Sequence, residues 1–239
     1  MTPPDTSEAP AQAPRAPDRP RISPRDHVLM AYPTPIVVFP WPDSDSLNAA
    51  LRDLVLSGER DGPGLVKSNI GGWHSDLDLF RSDLPAVRTL LGRIETLMVD
   101  ITALFLNRSD ADRRVRFRVE GWANLLREGG YYNVHNHGNA HWSGVYFVTG
   151  NPPVPERPFS GKLEFVDPRT AATMLLLEHF SIYGRQIIDP RPGTMVIFPS
   201  WLQHLVHPYF GPDERISIAF NVVVTSTAAA TTEPPHPSR

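Results

Sequence analysis

At 239 residues, with 41% hydrophobic and 21% charged residues, the chain fits one domain with additions and can bury a real core. A net charge of −3 and a pI near 6.3 argue against a nucleic-acid-binding surface. There is no cysteine, which excludes disulfides and thiolate metal sites, so any metal must rest on His, Asp or Glu.

Seven prolines fall among the first 24 residues, and residues 1–26 carry almost no apolar side chains, so they are expected to be a disordered Pro-rich arm. No apolar secretory core lies there, and no run approaches the roughly 18 apolar residues of a membrane span, so a cytoplasmic protein is expected. One domain is expected over 27–224, mainly helical in 27–112 and mainly β in 113–224. A disordered tail is expected from 225 to 239.

Leu47, Leu51, Leu54 and Val55 follow the capping candidates Asp43–Ser46 at helical spacing. The stripe Leu84, Val87, Leu90, Leu91, Ile94, Leu97, Met98, Ile101, Leu104 and Phe105 predicts an amphipathic helix of about six turns. Its apolar face could pack within the chain or against a twin, so a homodimer is an open possibility. From Val115 the rhythm changes to short strands at 115–126, 131–137, 143–148, 161–166, 193–198 and 215–224, as in a sandwich or barrel. The loop at 150–160 holds four prolines, and 167–192 is long enough for a lid or small hairpin.

His135 and His137 form a His-x-His pair. On a strand, residues i and i+2 face the same way, about 7 Å apart at Cα. Tyr131, Asn133, His135 and His137 would then share one face, a polar set that is costly to turn inward unless something binds there. A third imidazole comes from His204, after the strand Thr194–Phe198 that Gly193 leads. His207 competes with it, but Leu202, Leu205 and Val206 give His204 the more apolar surroundings. His141 lies near the pair, beyond Gly138, as a candidate neighbour of the metal. His27, His74, His179 and His236 carry no spacing argument. Eleven residues past His204, Arg215 and Ser217 share a face of the last strand, where a guanidinium suits bidentate capture of a carboxylate.

These residues resemble the 2-oxoglutarate- and Fe(II)-dependent dioxygenases, whose pattern is His-x-Asp/Glu, a distal His, then Arg-x-Ser on a double-stranded β-helix. A closer resemblance is to a bacterial family of such oxygenases, mostly of unassigned substrate. It rests on Ser68–Ser75, Trp122-Ala-Asn124, His135-Asn-His137 with Ser143–Val148, Phe198–His204 and Arg215–Asn221. The resemblance implies a jelly-roll, cupin-like β core with flanking helices. It also implies Fe(II) on His135, His137 and His204, with 2-oxoglutarate chelating the iron while Arg215 and Ser217 hold its distal carboxylate. O2 would be the other co-substrate. Succinate and CO2 would be released as a C–H bond is oxidised, hydroxylation being the expected outcome, with no catalytic side chain beyond the metal centre. One departure stands out: His137 occupies the usual carboxylate position, giving three neutral ligands. Glu164 and Asp167 are placed on another strand and are not expected to bind the metal.

Asn124 and Asn133 are expected at the cofactor, because a buried amide needs partners. Tyr131, Trp122 and Arg169 are weaker candidates for the substrate wall. The substrate is expected to be a small molecule or peptide, with no nucleic acid or membrane partner. Rival readings are a three-His dioxygenase that does not use 2-oxoglutarate, a non-catalytic cupin-like metal-binding module, and a Zn(His)₃ hydrolase or isomerase that would lack an evident general base.

Overall fold

The computed structural model describes residues 32–105, 113–169 and 185–229, and the account below concerns the compact unit Pro35–Arg239. The arm expected at 1–26 lies outside the described residues. So does most of the expected lid at 167–192, of which residues 170–184 are not described.

Among the described residues nine strands form one antiparallel sheet system: β1 (Val37–Pro40), β2 (Asn69–His74), β3 (Arg113–His135), β4 (Trp142–Phe147), β5 (Leu163–Phe165), β6 (Gln186–Ile188), β7 (Thr194–Pro199), β8 (His204–Val206) and β9 (Arg215–Ala229). Their order is β1-β7-β4-β9-β3-β8-β5-β6, with β2 paired to β3 off this path. Two α-helices among the described residues, α1 (Asp45–Asp61) and α2 (Pro85–Phe105), and a 3-10 turn at Leu79–Arg81 accompany them. This is the jelly-roll, double-stranded β-helix core with flanking helices that the strand rhythm and the resemblance implied.

Period-2 alternation divides the central strands between two environments. Ala123 and Leu125 of β3, Tyr146 of β4, Met195 and Ile197 of β7, and Ile216, Ile218, Phe220 and Val222 of β9 turn to the helices. There they meet Leu47, Leu51 and Val55 of α1 and Val87, Leu90, Ile94, Leu97, Met98 and Ile101 of α2, at helical spacing on one face of each. Each such fully buried aliphatic contributes about 1.5–3 kcal/mol, so this seam is the main source of stability. Tyr146 pins sheet to helix by donating its hydroxyl to Asn48 Oδ1 at 2.7 Å. The middle of the α2 stripe is thus buried within the chain, while Leu84 and Leu104 at its ends stay exposed. The opposite side chains of the same strands, among them Trp122, Asn124, Phe147, Arg215 and Ser217, line a cavity.

Several boundaries differ from expectation. The part read as mainly helical holds β1 and β2, because Gly71 and Gly72 break the apolar pattern that would announce a strand. The strands expected at 115–126 and 131–137 are one element, β3. It makes an excursion between Leu126, opposite Gly72, and Tyr131, opposite Ile70. Gly129, at φ +80°, allows that excursion, and reciprocal backbone bonds of Gly129 and Gly130 with Tyr209 fix it. The tail expected from 225 is strand as far as Ala229, paired with Arg113–Arg116, since Thr and Ala extend a ladder once a partner is present. Strand β8 forms where a loop was read, because β3 and β5 flank it.

Candidate metal centre

His135 ends β3 and lies opposite His204 in the register with β8. His137 falls two residues beyond the strand. It is held there by its own N–H, which donates to the Ser200 carbonyl at 2.9 Å. The loop 136–141 is tied along the turn after β7: Asn136 Nδ2 donates to Trp201 O at 3.3 Å, the Ser200 N–H to His141 O at 3.1 Å, and the Ser200 hydroxyl to Ala140 O. These bonds tie the two histidine-bearing loops to each other.

The three rings converge, with centroids 5.2 Å apart for His135 and His137, 4.3 Å for His135 and His204, and 5.3 Å for His137 and His204. One ligating nitrogen from each lies within 4.8 Å of the others. Bonds near 2.0–2.1 Å to a central ion would put such nitrogens about 3–4 Å apart, so small ring movements close the site. Backbone carbonyls orient two rings. His135 Nδ1 donates to Asn133 O at 2.7 Å and His204 Nδ1 to Leu202 O at 2.9 Å, since a carbonyl can only accept. Each Nε2 is left with its lone pair free for a metal, and the protein backbone sets the tautomer.

Burial keeps the rings neutral, as ligands must be. It lowers the pKa of His135, takes His137 to about 4 with His135 beside it, and takes His204 to about 3 with the same neighbour adding. His204 is boxed by Phe198, with centroids 4.7 Å apart, and Phe165. The donor set thus fits one divalent cation with open positions left over.

The cavity, about 420 Å³, extends from this triad along the inward faces of β3 and β9. Its deep end holds Arg215, 1% exposed, whose Nε donates to Gly161 O at 2.8 Å and whose Nη1 lies 3.5 Å from Ser217 Oγ. Among the described residues no carboxylate pairs with this guanidinium. Burial pulls its pKa down to about 10, which still leaves it charged at neutral pH. A cation so buried and unpaired is a ready seat for an anion. Asn124 lines the same region, and its Oδ1 accepts the Tyr132 hydroxyl at 2.9 Å.

His135, His137, His204, Arg215, Ser217, Asn124 and Trp122 are thus gathered around one cavity. Tyr131, Asn133 and Arg169 are not. A bulge lies between Tyr132, opposite Val206, and His135, opposite His204: three residues on β3 span two on β8. The bulge shifts the parity of the face, so Tyr132 points inward where Tyr131 was expected, and the Asn133 side chain faces solvent. Asn133 serves the site through its carbonyl instead. Arg169 pairs with Asp167 outside the cavity lining, its Nε 2.9 Å from Oδ1. His141 is exposed, and its Nδ1 accepts the Val224 N–H at 3.0 Å. His207 turns to the other side of β8 and meets Glu164 at 2.7 Å, so neither takes part in the triad.

Sequence reasoning missed Tyr132 and His74. The imidazole of His74, 3% exposed, stacks on Trp122 at 5.6 Å and 10°, and lines the cavity. The only available signal was its place at the end of the Gly71-Gly72-Trp73 stretch.

Residues 120–221 match the model of a family described as "Putative 2OG-Fe(II) oxygenase", a span that includes all three histidines, Arg215 and Ser217. By this match the stretch that carries the candidate site is similar to the 2OG-Fe(II) oxygenases. The segment Ser68–Ser75 lies outside the matched span. Among solved structures, a prolyl-4-hydroxylase from Pseudomonas putida is similar at 16% identity and TM-score 0.56, covering 80% of this chain and 93% of that one. A prolyl hydroxylase from Trichoplax adhaerens, in complex with a hypoxia-inducible-factor peptide, is similar at 14% identity and TM-score 0.56, covering 79% and 83%. HygX from Streptomyces hygroscopicus, with nickel, 2-oxoglutarate and hygromycin B bound, is similar at 13% identity and TM-score 0.54, covering 80% and 83%. Identities this low carry the fold alone. No curated protein matches the sequence. No helix among the described residues is long and apolar enough to cross a membrane.

Proposed function

We propose that His135, His137 and His204 hold Fe(II), and that Arg215 with Ser217 anchors the distal carboxylate of 2-oxoglutarate in an oxygenase acting on a small molecule or peptide. The observation that carries this reading is the pairing of three convergent neutral imidazoles with a buried guanidinium that has no acidic partner among the described residues. The bound iron, with 2-oxoglutarate and O2, would supply the oxidising power: one oxygen atom would enter the substrate C–H bond and the other succinate, with CO2 leaving.

The chain's own residues then have defined tasks. Asn133 and Leu202 carbonyls hold the His135 and His204 rings with Nε2 inward. Arg215 fixes the co-substrate by charge and by the fork of its N–H groups, and Phe147, under that guanidinium at 5.6 Å, keeps water from it. Tyr132 and Asn124, bonded to each other, close the side of the pocket next to Arg215. Phe165 and Phe198 pack around His204 and keep the third ligand dry. A ferrous ion must be kept reduced, so a cytoplasmic setting belongs to the same reading.

The test is an anaerobic titration of the Fe(II)-loaded protein with 2-oxoglutarate. The expected result is a visible metal-to-ligand charge-transfer band in the wild type, followed by succinate formation on admitting O2. Metal binding with neither the band nor succinate overturns the proposal.

A further inference from the structure

The cavity has a second end, which the cofactor reading leaves unused. Along the β3–β9 pair the inward residues run as rungs: Asn124 with Ser217, Trp122 with Ala219, Glu120 with Asn221. Arg215 to Asn221 spans six residues, or about 20 Å of strand. The rung at Trp122 lies beside the triad, its indole 5.7 Å from the His137 ring. Glu120 and Asn221 lie one rung farther from Arg215, toward the mouth.

His74 sits opposite Asn124 on β2 and reaches the next rung by stacking on Trp122. Its Nδ1 donates to the Ser75 carbonyl at 2.6 Å, which leaves Nε2 as an acceptor. Nε2 has no protein partner among the described residues, although the residue is 3% exposed and borders the cavity. Burial lowers its pKa and favours the neutral ring. Its ring stacks on Trp122, and Glu120, opposite Asn221 one rung past Trp122 on β3, lines the same cavity and makes no ion pair among the described residues. Lys67, entering β2, lines the same mouth.

An imidazole acceptor, an aromatic face and a carboxylate together suit a group rich in N–H donors and positively charged. We infer that the outer end of the cavity binds the amino group of an amine-bearing substrate of the amino-acid type. His74 Nε2 and Glu120 accept its N–H bonds, the edge of Trp122 left open by His74 walls it on one side, and Lys67 meets its carboxylate. The inference rests on the metal-centre reading above, and it makes His74 a substrate-contacting residue rather than a ligand of the metal.

The test uses protein loaded with Co(II) and 2-oxoglutarate, read by the cobalt absorption bands. The probes are the common L-amino acids, each set against its deaminated acid and its decarboxylated amine. At least one amino acid should perturb the bands and raise succinate formation in the Fe(II) enzyme. Its deaminated acid should bind at least about tenfold more weakly, the scale of one charged hydrogen bond. His74→Phe keeps the stack on Trp122 and should raise the dissociation constant of that amino acid about tenfold, leaving that of 2-oxoglutarate unchanged. Glu120→Gln should do the same, and His74→Gln should recover part of the loss. The inference is overturned if no amino acid or amine binds at 10 mM (roughly the weak-binding limit), or if deaminated acids bind equally. It is also overturned if His74→Phe weakens 2-oxoglutarate as much as the probe. Failure of cobalt or 2-oxoglutarate to bind wild type would instead defeat the cofactor reading.

Discussion

His135 and His204 stand directly opposite one another across the β3–β8 pair, their rings 4.3 Å apart and each turned by a bond from Nδ1 to the carbonyl two residues before it. The same local device on two strands aims both Nε2 atoms at one point. Replacing either ring with Ala should weaken metal binding by roughly 100-fold or more, the upper range for merely losing a supporting contact. Anaerobic calorimetry with Co(II) reads this, and wild-type affinity in His204→Ala would remove that residue from the centre.

Of the three proposed ligands His137 is the one held by a loop rather than a strand, and it stands where the resemblance has a carboxylate. His137→Asp should keep an Fe(II) site, because two imidazoles and one carboxylate suit that ion. His137→Leu should lose at least about tenfold in affinity, a modest share of one metal bond. Metal content after anaerobic loading and desalting separates the two. Equal content in His137→Leu and wild type would show that only two histidines bind.

Arg215 illustrates a site that works against stability. Its guanidinium is buried with no carboxylate partner among the described residues, so Arg215→Met should not lower Tm when 2-oxoglutarate is absent. The same change should weaken 2-oxoglutarate about 10- to 100-fold, the worth of hydrogen bonds to a charged group. Thermal melts with and without the co-substrate check both halves. A large drop in Tm without ligand would mean that Arg215 is chiefly structural.

Gly144 lines the cavity where β4 crosses Phe220. A Cβ added there would sit 2.2 Å from Phe220 Cζ and 2.8 Å from the Val196 carbonyl oxygen. Phe220 is fully buried and cannot swing away, so Gly144→Ala should cost about 1–3 kcal/mol, the usual price of overpacking. Urea unfolding should show a lower midpoint at unchanged slope. An unchanged midpoint would mean that the sheet relaxes freely at this crossing.

Glu164 joins β5 to its surroundings through Arg185, Nε to Oε1 at 2.7 Å, and through His207 at 2.7 Å. Burial pushes its pKa up, but the hydrogen bonds from Arg185 and His207 outweigh burial and leave it below the ordinary carboxylate value. A folded pKa below the unfolded one means stability that is present above roughly pH 4.3 and lost as pH falls through the lower, folded value. With Arg185 partly exposed, the gain is about 1 kcal/mol at most. The Tm gap between wild type and Glu164→Gln should be widest near neutrality and close below about pH 4. A gap constant with pH would assign it to packing instead of charge.

Residue types and spacing by themselves determined much of this protein. The β rhythm after Val115, the apolar stripes of both helices, the choice of His204 over His207, and the Arg215-x-Ser217 face all follow from side-chain chemistry and period. These features are local, and burial on one face leaves its mark in the sequence. What only the tertiary structure decided depends on backbone geometry and on partners far apart in the chain. A single extra residue between Tyr132 and His135 exchanges Tyr131 for Tyr132 in the cavity, and alternation cannot register an insertion that keeps the residue types unchanged. His74 reaches the site because β2 pairs with β3 some 50 residues later, His74 opposite Asn124. Glycine-rich β2 carries too little apolar pattern to announce that pairing, which is stabilised by bonds to a strand the local sequence does not contain.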